Sequence, residues 1–291
     1  MRRLLVAFGL FASISGATAA EYELPPTLRG AEAVLPGASP CCPRWSGFYG
    51  GGQVSHSSAT ANFGRGVSDL AGFIVRNSIL ADPVSTFTAV LPQTSTNAFG
   101  FGGFFGYNSQ WEELILGWEL NYSHTSLNPR AEDSLTRRFT NLAGAAPSPA
   151  GYHNVYDVTV GGSAHIHMTD LLTLRGRAGW TVGNFLPYAF FAPGIARADV
   201  TRAATVRSVR TDVPDDPNAG LPSITSPPFS DSRTDIKLAG YYFVYAAGVG
   251  LDVEVMPRVF ARLEYETLQI PNIQSMKVGI QTLRTGLGLK F

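Results

Sequence analysis

The clearest pattern along the chain is an alternation of apolar and polar side chains with a period of two, which is typical of β-strands. In residues 114–124 the apolar parity carries Trp118 and Tyr122. The other parity carries Glu119 and Asn121. The same alternation predicts eight strands, at residues 46–56, 99–107, 114–124, 155–182, 186–198, 241–255, 259–267 and 284–291. The alternation is weaker in two of these strands, 46–56 and 186–198, and Pro187 and Pro193 interrupt the second.

The segment 155–182 has to be interpreted either as one long strand or as two. A hairpin with a two-residue loop would switch the apolar parity between its strands. The parity does not switch, since Val158, Val160, Ala164, Ile166 and Met168 share it with Leu172, Leu174 and Trp180. We therefore predict one strand whose upper half projects beyond a membrane, with a ten-stranded count as the alternative.

The connections between the predicted strands alternate in length. Long ones are expected at about 57–96, 125–153 and 201–237, and short ones near 108–113, 183–186 and 256–258. Transmembrane β-barrels have long loops on the outside of the cell and short turns on the periplasmic side.

Alternation alone does not show which face of each strand contacts water, because the strands of a soluble β-sandwich also alternate apolar and polar residues. The apolar faces are rich in aromatic residues near strand ends, as in the aromatic girdles of membrane barrels. The polar parity is rich in glycine, which suits a crowded lumen. It also carries five cations and five anions: Arg175, Arg177, Arg262, Arg284 and Lys290, with Glu119, Asp252, Glu254, Glu264 and Glu266. Side chains just fill an eight-stranded barrel, and charges there must be paired. We predict an all-β, closed antiparallel transmembrane barrel with a plugged lumen.

The two ends of the chain carry separate signals. The last strand places Leu287, Leu289 and Phe291 on one face and is expected to close the barrel against the first strand. At the start, two arginines, a short apolar run and a small-x-small site predict a cleaved signal peptide over residues 1–19. Residues 20–44 are predicted to be a Pro-rich periplasmic segment and 45–291 the barrel.

Composition narrows the function classes. The formal net charge is zero, which argues against a nucleic-acid partner. The adjacent Cys41 and Cys42 are expected to be free or locally oxidised, and two cysteines alone predict no metal site. The glycine runs lie inside predicted strands, so they do not indicate dinucleotide binding.

The chain resembles a known family along most of its length from Trp45. The resemblance rests on the ordered motifs WSGFYGGG, FGGFFGYN, LILGWELNYS, LRGRAGW, FLPY, AAGVGLDV, ARLEYE and the terminal GLGLKF. These are similar to the small outer-membrane immunogenic, opacity-type (porin-family) β-barrel proteins of Gram-negative bacteria. The resemblance implies an OmpA-like eight-stranded barrel, a terminal aromatic insertion signal, and lipid and the outer-membrane assembly machinery as partners. This chain departs from the family in its longer loops and its cysteine pair, so the resemblance does not identify an external ligand.

The sequence supports several functions of such a barrel. The favoured one is a structural, surface-exposed outer-membrane protein that is not an enzyme and has no cofactor; a narrow diffusion channel is an alternative. A haem or other ligand receptor, which the resemblance implies for some members, would use His165 and His167, expected at the lumen mouth. A lipid hydrolase or acyltransferase would need the segment Ser123–Ser126 around His124, where no orienting acid is evident and adjacent side chains point to opposite faces.

Overall fold

The computed structural model describes residues 44–218 and 220–291, which form ten strands and two short helices. The helices are α1 (Ser68–Val75) and α2 (Ala81–Ser85). The strands are β1 (Gly47–Asn62), β2 (Gln93–Trp111), β3 (Leu114–Leu127), β4 (Arg130–Thr140), β5 (Tyr152–Trp180), β6 (Phe185–Pro214), β7 (Ile224–Thr225), β8 (Phe229–Met256), β9 (Val259–Ile273) and β10 (Met276–Lys290). The predictions for the signal peptide and for the cysteine pair lie outside the described residues.

Eight of these strands close into an antiparallel ring. The hydrogen-bonded order is β1, β2, β3, β5, β6, β8, β9 and β10, and β10 pairs back onto β1 from Tyr49–Lys290 to Asn62–Lys277. The predicted eight-stranded closed barrel is therefore confirmed. The strands β4 and β7 lie outside the ring and pair with the upper parts of β5 and β6. The prolines expected to interrupt 186–198 are accommodated within β6, which is continuous.

The connections have the predicted asymmetry but not the predicted bounds. At one end, called here the turn end, the strands are joined at 112–113, 181–184 and 257–258. At the other, the loop end, the connections are 63–92, 128–151, 215–228 and the tight turn 274–275. The loops expected at 57–96 and 125–153 were too long by a few residues at each end, and most of the loop expected at 201–237 is strand, because β6 and β8 continue into it. The first of these loops also contains both helices.

The wall near the turn end carries an apolar belt on its outside. Leu263, Val249 and Leu174 are each more than half exposed there, with polar residues of the opposite parity facing inward. Exposed apolar surface on this scale fits a hydrocarbon environment. Outward-facing members of the belt include Phe99, Phe101, Leu116, Trp118, Leu172, Trp180, Phe191, Phe243, Leu283 and Leu287. No helix within the described ranges is long and apolar enough to cross a membrane.

Toward the loop end, the inward-facing parity changes on β5 and β8. The pairing of β5 with β6 jumps at Thr169, which is an extra residue, and β8 carries a matching irregularity beside Ala239, whose φ is 51°. One extra residue sends each later side chain to the opposite face. One long strand at 155–182 is confirmed, but the single continuous apolar face was wrong. Val158, Val160, Ala164, Ile166 and Met168 point inward, each at most 4% exposed, whereas Leu172 and Leu174 point to the lipid side.

The upper parts of β5, β6 and β8, together with β4, form what we call the upper sheet. Its apolar inner face packs against residues of the 63–92 loop, namely Phe63, Val67, Leu70, Ala71, Val75, Leu80, Val84 and Phe87. This loop begins at β1, which lies opposite β6 in the ring, so it crosses the mouth of the barrel. Arg202 of β6 holds it there: Nη1 donates to the carbonyls of Gly66 and Gln274, both at 3.0 Å, and Nη2 to Asp235 at 2.6 Å.

Candidate functional site

The lumen near the turn end holds a buried network of ion pairs, in which Arg175 of β5 is one centre. Its Nη1 donates to Glu264 at 2.8 Å and to Glu119 at 3.1 Å. Its Nη2 donates to Glu266 at 2.8 Å, and all four side chains are at most 2% exposed. These residues converge because they occupy the inward parity of β3, β5 and β9, which lie around the same ring.

Arg262 is the second centre of the network. Its Nε and Nη2 donate to the two oxygens of Asp252, at 2.8 and 3.1 Å, and its Nη1 donates to Glu119 at 2.7 Å. Arg177 reaches Asp252 at 2.8 Å, and Arg284 reaches Glu266 at 2.6 Å. Four arginines thus meet four carboxylates, and the network is neutral by formal charge.

The remaining two charged residues of the predicted set form a separate pair at the turn end. Lys290 Nζ lies 2.6 Å from Glu254, and both side chains are partly exposed. The ammonium also lies 4.5 Å from the Trp45 ring. The ten residues therefore divide into a buried network of eight and a boundary pair of two.

Tyrosine and phenylalanine side chains complete the network, and the sequence analysis did not identify them. Tyr49 and Tyr188 donate their hydroxyls to Glu119 at 2.9 Å and to Glu264 at 2.6 Å. The Arg262 guanidinium lies 4.0 Å from the centre of the Phe104 ring, where a cation–π attraction adds to its ion pairs. These aromatic residues lie at inward-facing positions of β1, β2 and β6.

The signal that could have revealed them is the glycine on the neighbouring strand. A Cβ on Gly250 would lie 2.4 Å from the Tyr188 ring, and one on Gly288 would lie 2.2 Å from the Phe260 ring. The glycines therefore leave the space that large inward-facing rings occupy, as the prediction of a crowded lumen implies. In β8 the run Gly248-Val249-Gly250 leaves the space that the rings of Phe190 and Tyr188 occupy on β6.

The interior changes character along its axis. Above the charges, Gln53 donates to Asn121 at 2.9 Å and to Ser123 at 3.2 Å. Ser57 and Thr282 share a hydrogen bond of 2.9 Å one step higher. Above these lies the apolar interior of the upper sheet. The lumen therefore contains a charged layer, a neutral polar layer and an apolar layer in succession.

The two candidate haem ligands do not lie at the lumen mouth, so that prediction was wrong. The parity reversal at Thr169 places His165 and His167 on the outer face of the upper sheet. The His167 Nδ1 contacts the side-chain oxygen of Asn128. Burial, with the nearby charge of Arg130 second, lowers the pKa of His165. Two ligands on an open sheet face do not form a haem pocket, and among the described residues no cluster of three or more His, Cys, Asp or Glu is placed to hold a metal.

The segment around His124 differs from its prediction in one respect. Ser123 points inward and His124 outward, as expected for neighbours in a strand. However, the His124 Nδ1 lies 3.0 Å from the carboxylate of Asp170 on β5, so an orienting acid is present after all. The sequence could not indicate this contact, because the two residues are 46 positions apart.

A closed ring of eight strands, an apolar belt outside and paired charges inside are now established together. This is the outer-membrane type of barrel. It is the fold that the family resemblance implied, and it rests on the hydrogen-bonded ring and the belt.

Comparison with known proteins adds distant likenesses. The chain matches no family model and no curated protein. Among solved structures it is similar to Neisserial surface protein A (NspA), with 15% identity, a TM-score of 0.36 and coverage of 84% of this chain and 98% of that one. It is also similar to Ail, the attachment invasion locus protein of Yersinia pestis, in complex with the heparin analogue sucrose octasulfate. The identity is 10%, the TM-score is 0.31, and the match covers 84% of this chain and 99% of that one. For the translocator domain of the autotransporter NalP from Neisseria meningitidis, the identity is 11%, the TM-score is 0.27, and the match covers 85% of this chain and 90% of that one.

Proposed function

We propose that the chain is a structural, surface-exposed protein of the outer membrane, which supports envelope integrity and displays its upper sheet and loops outside the cell. In this proposal the assembly machinery inserts it and lipid surrounds its belt. The lumen conducts nothing, because paired charges fill it near the turn end and the 63–92 loop crosses its mouth.

The single observation that carries the proposal is the continuous filling of the lumen. Arg175 and Arg262 span the interior and reach carboxylates on β3 and, across the ring, on β8 and β9, with side chains at most 2% exposed. An ion or solute crossing the barrel would have to separate these pairs, and breaking a buried pair costs about 3–5 kcal/mol. The narrow-channel alternative has no comparable support.

Conductance tests the closed lumen. We expect no steady single-channel current from the refolded chain in a planar bilayer. A variant with Arg175 and Glu264 both changed to Ala, which removes two large side chains and keeps the charge balance, should admit a small current. Steady conductance by the unchanged chain, in a sample that shifts mobility between cold and boiled electrophoresis, would refute the closed lumen.

Location and orientation are tested by labelling. In a chain with Cys41 and Cys42 changed to Ser, Thr205→Cys marks the outer face of the upper sheet and Arg258→Cys marks the turn end. We expect a membrane-impermeant maleimide to label the first in intact cells and the second only after permeabilisation. The reverse pattern, or recovery of the chain in the soluble periplasmic fraction, would contradict the proposal.

A further inference from the structure

A polar cluster interrupts the outer wall just above the apolar belt. Along β3 and its continuation toward β4, the outward side chains are lipid-facing as far as Tyr122 and then become His124, Ser126 and Asn128. Asp170 stands beside His124 on β5, directly across the register. The fold thus brings an acid, an imidazole and a hydroxyl to one face of two adjacent strands.

The imidazole is held in a defined orientation. The Asp170 carboxylate accepts hydrogen bonds from Tyr122 Oη at 2.7 Å and from Thr169 Oγ1 at 2.7 Å, and it lies 3.0 Å from His124 Nδ1. A carboxylate in this position favours the tautomer with the proton on Nδ1. The Nε2 atom of His124 is then the acceptor, as a general base requires.

The hydroxyl and an amide donor lie on the same face. Ser126 is exposed two residues beyond His124, and its Oγ lies 3.1 Å from Asn128 Nδ2. The Asn128 carbonyl oxygen contacts the His167 ring, which turns the amide NH₂ toward Ser126. In this arrangement the Ser126 hydroxyl rests on Asn128, so a χ1 rotation has to bring it to His124. The amide can then donate to a developing oxyanion.

The depth of the cluster identifies a substrate class. β3 begins at Leu114 at the turn end, so Ser126 lies about 30 Å along the barrel axis, for a rise of about 3.3 Å per residue and a strand tilt of about 40°. The apolar belt of such barrels is about 25 Å tall. Ser126 therefore stands at the boundary between acyl chains and headgroups, where the ester bonds of membrane lipids lie.

We propose that Ser126, His124 and Asp170 form a hydrolytic site for acyl esters of membrane lipids in the leaflet at the loop end. Ser126 Oγ attacks the ester carbonyl carbon while His124 Nε2 takes the hydroxyl proton and passes it to the departing alcohol. Water then attacks the acyl-serine and gives one proton to His124, which returns it to Ser126 Oγ as the free acid leaves. The net reaction is ester plus water to acid plus alcohol. The sequence pattern by itself predicts no enzyme; the Asp170 contact is what changes this expectation.

The test uses the refolded full chain in vesicles of ester-linked phospholipid, with ether-linked phospholipid as the matched substrate that cannot be deacylated. We expect release of free fatty acid from the ester lipid alone, and labelling of Ser126 by a fluorophosphonate probe, located by mass spectrometry. Ser126→Ala and His124→Gln should each lower the rate at least about 100-fold. Asp170→Asn should lower the rate of fatty-acid release although Ser126 itself is unchanged.

The control variant is Ser163→Ala, a serine on the same outer face, higher on β5 and outside the cluster. It should leave both lipid deacylation and probe labelling unchanged. Every variant must keep its heat-dependent electrophoretic mobility, which separates loss of activity from loss of the barrel. The proposal is overturned if the folded chain releases no fatty acid. It is also overturned if the activity survives in Ser126→Ala or does not depend on His124.

Discussion

The buried network should respond very differently from a surface pair to the loss of one arginine. Arg175→Met removes the cation that contacts Glu119, Glu264 and Glu266, and leaves the network with an excess negative charge in a closed lumen. Removing one partner from a buried pair costs about 3–5 kcal/mol, because the remaining charge is desolvated and uncompensated. Arg138→Met is the matched control. It breaks a 2.8 Å pair with Asp157 in which the arginine side chain is 69% exposed, and exposed pairs contribute at most about 1 kcal/mol.

The charge itself, and not only the lost volume, should account for most of that cost. Changing Glu264 to Gln together with Arg175→Met restores neutrality, so the double variant should be less destabilised than the sum of its single variants by about 0.5–3 kcal/mol. The measurement is urea unfolding in lipid vesicles, followed by tryptophan fluorescence and by cold electrophoresis. If Arg175→Met cost no more than Arg138→Met, or if the two lumen changes were additive, the argument from paired charges would be wrong.

Three further predictions follow from other parts of the barrel. Gly288→Leu should prevent or slow formation of the folded band seen in cold electrophoresis, because a Cβ at this position would lie 2.2 Å from the ring of Phe260 on β9. Gly176→Leu should fold normally, because a Cβ at this outward-facing position would have no other atom within 4 Å. Leu263→Arg should destabilise the barrel by about 2–4 kcal/mol in vesicle unfolding, whereas Val255→Arg, near the turn end, should cost about 0–1 kcal/mol. Equal costs would contradict the position of the belt. Arg202→Leu should release the 63–92 loop and speed its cleavage by trypsin with the barrel still folded; unchanged protection would show that this arginine does not hold the loop.

The barrel was predictable from the sequence because its lipid-facing half obeys one rule. On β3, β9 and the lower half of β5, apolar side chains keep one parity and charged ones the other, so Glu119, Arg175 and Glu264 could be assigned to the lumen without coordinates. Their partners could not be assigned, since each contact joins strands distant in sequence. Tyr49 and Tyr188 were missed because their strands, at 46–56 and 186–198, have no parity of charged residues that marks one face as the lumen side.

The upper sheet was predicted poorly for a different reason. The extra residue at Thr169 changes which parity faces inward without leaving a mark in the apolar pattern of β5. The alternation looks continuous through that point while the faces exchange, which is why His165 was assigned to the wrong side. The helices α1 and α2 were missed as well, because they are short and lie in a segment interpreted as loop.

The irregularities at Thr169 and Ala239 also limit how this protein can diverge. Above them, extending two paired strands by equal lengths makes the exposed portion taller and leaves the immersed portion unchanged. Below them, a single inserted residue would turn arginines toward hydrocarbon and leucines toward the axis. Natural length variation among homologues should therefore accumulate between these two positions and the loop end, whereas the part between them and the turn end should be nearly constant in length.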